Sequence, residues 1–120
     1  EGADGPRRLM GVPTVHTRLK QKGVASYCLI RKEISTSGLS QMLFHGAEAM
    51  SAISVADMMV QIRKLLETDP QKPAVIWAYW GQVDAMQHRY GARSDEMKAE
   101  VRNVGFSLQQ ELLKSMYDRK

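Results

Sequence analysis

Cysteine is all but missing: Cys28 is the only one in 120 residues, which excludes an internal disulfide framework. It lies in the apolar run VASYCLI, residues 24–30, where the expected role is a small buried hydrophobe. Long hydrophobic runs are missing too, and none approaches the ~20 residues that a membrane span requires. The opening EGADGPRRLMG has no apolar h-region, so it is not read as a signal peptide. These absences leave the cellular location open, with a cytoplasmic one favoured. There is no strong charge of one sign: the net charge is +4, and basic residues are scattered among acidic ones. The tract RLKQKG is therefore read as a solvated helix face, with no nucleic-acid-binding surface expected. Internal repeats and low-complexity tracts are also lacking, as are Ser-His-Asp, P-loop and CxxC patterns.

What is present is an ordinary globular composition, 43% hydrophobic and 25% charged, sized for a single domain with a modest core. Residues 1–11 are Gly-rich and polar and read as a linker or loop, leaving 12–120 as the domain. PTVHTRLKQKG has Pro13 for a first helical turn and Gly23 for a C-cap. Val15 and Leu19 are its apolar positions, and His16 is placed on its wet side. VASYCLI follows as a buried strand. Ser35, Thr36 and Ser37 then supply turn and N-cap chemistry, and Gly38 to Phe44 predicts a short helix stopped near Gly46.

Val55, Met58, Met59, Ile62, Leu65 and Leu66 form an amphipathic helical stripe, with Ser54 as N-cap and Pro70 beyond the end. AVIWAYW, residues 74–80, is the second buried strand. Ser94, Asp95 and Glu96 open a last helix whose buried stripe is Met97, Val101, Val104, Leu108 and Leu112. Two apolar strands among four helices predict an α/β fold, a fragment of a mostly parallel sheet flanked by helices. A two-stranded sheet is thin, and both chain ends read as cut from a larger domain.

Ligands in open α/β sheets gather beyond the carboxyl ends of the strands. Asp84 and His88 stand just past the second strand, four residues apart, in a polar segment closed by Gly91. A carboxylate and a neutral imidazole are both good zinc ligands, although zinc needs three or four. The plain alternative makes Asp84 a turn cap and His88 a surface residue. His45, beside Gly46, is explained by a contact with a helix C-terminus, and Thr36 and Ser37 by capping.

The segment YWGQVDAMQHRYGARSDEM resembles the alkaline phosphatase superfamily, specifically the type I phosphodiesterase/nucleotide pyrophosphatase family. That family carries an Asp and a His in a D-x-x-G-H pattern after a Tyr-rich strand, then R/K-Y-G-P and an acidic helix start. Here the counterparts are Asp84, His88, Tyr90, Gly91 and the helix opening at Ser94. Upstream, VPTVHTRLKQKGVASYCLI and SGLSQMLFHGAE are similar to the family's helix–strand unit and the segment after it. The resemblance runs from about residue 12 to 113. Gln87 departs from the usual Gly, Ala92 from Pro, Gln82 from Glu and Gly105 from Asp.

The resemblance implies a two-metal site, zinc being expected, in which Asp84 and His88 bind one ion. It implies a phosphate-ester or nucleotide-type substrate. Two dications roughly 4 Å apart hold nucleophile and phosphate oxygen and offset the charge that develops in line. The family's Thr nucleophile, its second Asp-His pair and a further His have no counterpart here, so this span alone is expected to be inactive. A phosphomutase or sulfatase relative, and a non-catalytic α/β interaction domain, are the alternatives.

Overall fold

A computed structural model describes residues 14–31 and 45–118. The expected linker at 1–11, Pro13, Thr36, Ser37 and the expected helix at 38–44 lie outside the described residues. The chain runs through α1 (Val15–Gln21), β1 (Ala25–Arg31), β2 (Glu48–Ala52), α2 (Val55–Thr68), β3 (Ala74–Ala78), α3 (Gln82–Tyr90) and α4 (Asp95–Leu108). A π-helical turn (Gln109–Leu113) and a short α5 (Lys114–Asp118) follow. The architecture is α/β: three parallel strands in the order β2-β1-β3, with helices packed against them.

β1 is the middle strand, and its alternation divides the sheet. Leu29 faces α2 in a core with Ala52, Val55, Met58, Met59, Ile62 and Leu112, and Tyr27 and Ile76 pack at its margin. The expected stripe of α2 is the one buried, with Leu65 and Leu66 at its rim. Its start is fixed reciprocally: Ser54 Oγ accepts from the Asp57 N–H at 3.0 Å, and Asp57 Oδ2 accepts from the Ile53 N–H at 3.0 Å. On the other face lie Ser26, Cys28 and Ile30, with Trp77 paired in register beside Cys28. α1 covers part of this face.

Four sequence expectations are corrected. A third strand, β2, was not foreseen, because EAMSA has no β-branched or aromatic residue and owes its conformation to pairing with β1. β3 is an edge strand that ends at Ala78 and is not fully buried: Trp77 and Tyr79 are about half exposed, at 49% and 52%. α1 is rotated from the expected orientation, so that His16 is buried and Val15 is exposed. In the last helix Val104, Leu108 and Leu112 face the core, but Val101 is exposed.

His16 is tolerated inside because its polar edge is satisfied. Its Nδ1 hydrogen-bonds Ser26 Oγ, and its ring meets the Trp77 indole edge-on with centroids 5.6 Å apart. Burial lowers its pKa below the usual 6.5. The unfolded chain therefore takes up the proton first, so stability is full above pH 6.5 and falls as pH drops below it. Urea midpoints should decline between pH 7.5 and 5.5, and less steeply in His16→Gln, which cannot titrate there. Equal slopes in the two proteins would assign the loss to other groups.

Candidate functional site

All three strands being parallel, their carboxyl ends share one edge of the sheet, and α3 starts there, with three residues between Ala78 and Gln82. The Tyr79 N–H donates to the Leu29 carbonyl at 3.0 Å, extending the pairing one residue past β3. Trp80 ties the exit to α4 through an indole N–H to Glu100 Oε1 hydrogen bond of 3.2 Å. The Arg31 guanidinium lies 5.9 Å from the Trp80 ring centroid. At the far end Gly91 closes α3 with φ +97°, its N–H donating to the Gln87 carbonyl at 2.9 Å. Ser94 then caps α4 by accepting from the Met97 N–H at 3.1 Å.

The polar segment carrying Asp84 and His88, for which the sequence indicated no element, is thus a helix. Helical spacing of four places both side chains on one face, and His88 Nε2 lies 3.3 Å from Asp84 Oδ1. Asp84 is in the first turn of α3 and His88 in the last. Both are mostly exposed. Gln87 sits in the body of α3, where it is a better helix former than the glycine of the family pattern.

An oxygen and a nitrogen bound to one zinc at 2.0–2.1 Å in tetrahedral geometry are separated by about 3.3 Å. The Asp84–His88 separation equals that edge, and it is also the separation of an i,i+4 ion pair. Two donors are not a complete site, and among the described residues no group of three or more His, Cys, Asp or Glu side chains could hold a metal. The other histidines are not drawn in. His16 is in the interface between α1 and the sheet. The His45 carbonyl accepts from the Thr14 and Thr17 hydroxyls near the start of α1.

Two further chemical groups came together without a signal in the spacing. Ser26 and His16 make a hydroxyl–imidazole contact of the kind that activates nucleophiles. The two side chains are 6% and 2% exposed, and their contact ties α1 to β1. Cys28 is buried as expected, and burial pushes its thiol pKa up to about 11, which keeps it protonated and unreactive. Among the described residues no helix is long and apolar enough to cross a membrane.

Comparison of this chain with protein-family models, with curated proteins and with solved structures gives no match.

Proposed function

We propose that this chain is part of a metal-dependent phosphodiesterase/nucleotide pyrophosphatase-like hydrolase, to which Asp84 and His88 contribute two ligands of one metal ion. The observation that supports the reading is the pair itself: a carboxylate and an imidazole 3.3 Å apart, at the carboxyl edge of an all-parallel sheet. Zinc is the expected ion, and when bound it supplies positive charge against phosphate oxygens and lowers the pKa of a bound hydroxyl. The substrate class is a phosphate ester or nucleotide. The role of this chain's residues is to hold donors in place: α3 sets the spacing, and the Trp80–Glu100 bond and the Ser94 cap fix the segments on either side of it.

The same contact is also what an exposed i,i+4 ion pair shows, worth at most about 0.5 kcal/mol. A non-catalytic α/β interaction domain is therefore the second reading. Zinc titration followed by the His88 ring resonances separates the two. In the ligand reading these resonances shift saturably with zinc, and Asp84→Asn weakens the response at least about tenfold, equivalent to ~1.4 kcal/mol. A response identical in Asp84→Asn would overturn it.

A further inference from the structure

The strand order β2-β1-β3 reverses direction at β1: the chain passes from β1 to β2 on one side, then returns across β1 to β3 on the other. In open α/β sheets the crevice at such a reversal, outside the carboxyl ends of the two adjacent strands, is where ligands bind. A cleft of about 430 Å³ lies beside that reversal, between α1 and the face of β1 and β3 that carries Cys28, Ile30 and Trp77. Its walls include Val15, His16, Cys28, Ile30, Trp77 and Tyr79.

The lining defines what the cleft would accept. Among the described residues, no Asp, Glu, Lys or Arg side chain contributes to it. His16 is held toward its neutral form and Cys28 toward its thiol form, both by burial. An ionic ligand entering would lose hydration and gain no side chain of opposite charge. Trp77 in β3 and Tyr79, one residue past its end, each expose about half their surface, at 49% and 52%. Aromatic rings gain most from other rings, by offset or edge-to-face contact. Tyr79 also turns its ring over Gly81: a Cβ there would lie 3.2 Å from the Tyr79 ring and 3.4 Å from its hydroxyl. The glycine leaves room for that pose, which holds Tyr79 at the mouth of the cleft.

We infer that this cleft between α1 and the sheet is a binding site for an uncharged, flat aromatic ring, packed against Trp77 and Tyr79. The site is separate from the Asp84–His88 pair and needs no metal, so its failure and the failure of the metal reading are distinguishable. The test uses the whole chain, free of zinc, labelled with ¹⁵N and titrated with 2-naphthol. The two tryptophan indole N–H signals report separately. That of Trp77 should move saturably, while that of Trp80, engaged by Glu100 at 3.2 Å, should stay in place.

Val15→Trp fills the cleft from the exposed side of α1, where folding is not at risk, and should weaken binding at least about tenfold. Trp77→Leu should do the same, and the anion 2-naphthoate should bind at least about tenfold less tightly than 2-naphthol. Equal movement of both indole signals, unchanged affinity in Val15→Trp, or equal binding of the anion would each overturn the assignment.

Discussion

Gly46→Ala is expected to lower the unfolding free energy by about 3 kcal/mol, a large part of the total for a domain of this size. Gly46 has φ +95°, a conformation that side chains rarely adopt. It also lies directly against α1: an added Cβ would fall 2.7 Å from the Thr17 nitrogen and 2.9 Å from its Cα. Both are backbone atoms, so no rotamer change relieves the overlap. Movement of α1 would disturb the hydroxyls of Thr14 and Thr17, which donate to the His45 carbonyl, and the His16–Ser26 contact beyond them. Gly91 isolates the cause, since it has φ +97° with nothing within 4 Å of a Cβ. Gly91→Ala carries only the conformational penalty, about 1.5 kcal/mol, because φ +97° with ψ 156° is a region that glycine alone adopts readily. Urea denaturation of the two variants should separate them clearly, and equal losses would mean that the close approach to Thr17 is not the source.

The α/β class and the α2 stripe were legible because burial there follows simple periods: continuous apolar residues in β1, and the 3.6-residue repeat from Val55 to Ile62. Ser54 and Ser94 were readable as caps because their hydroxyls precede acidic or apolar first turns. β2 was not legible, since its alanines, Met50, Ser51 and Glu48 have no strand preference of their own. α3 escaped notice for a different reason. It buries none of its residues, so no stripe marks it, and only the glycines at 81 and 91 bound it. The orientation of α1 was misjudged because apolarity ranked Val15 above His16. The decisive fact was tertiary: a hydroxyl on β1 and an indole on β3 receive the imidazole.

The candidate site was legible as a spacing before it was a geometry. A spacing of four from Asp84 to His88 brings donors together only if the segment is helical, and its polar composition carried no helical stripe. Once α3 is in place the spacing becomes a 3.3 Å contact. The cleft at Trp77 and Tyr79 was hidden by the opposite error. Treating AVIWAYW as a strand buried on both faces removed from consideration the two rings that the edge position leaves open.

Leu29→Ala should cost about 3–4 kcal/mol, near the upper half of the range for buried leucines. Leu29 has 0% exposure on the middle strand, and it meets the α2 stripe through Met58, which is 1% exposed. The void left there is walled by a sheet hydrogen-bonded on both sides of β1, so the surroundings cannot collapse far to fill it. Leu112, in the same core, is 9% exposed and sits in the π-helical turn. That turn has adjustable contacts, including Arg63 Nη1 donating to the Glu111 carbonyl at 3.4 Å. Leu112→Ala should therefore cost only about 2 kcal/mol, because the turn can settle inward. Leu29→Ile, which preserves volume and suits a strand, should lose less than about 1.5 kcal/mol. Denaturant midpoints for the three variants give the ordering. If Leu112→Ala proves as costly as Leu29→Ala, stability is anchored as much by the π-turn as by β1. α4, which carries the Glu100 partner of Trp80, would then count among the rigid supports of α3.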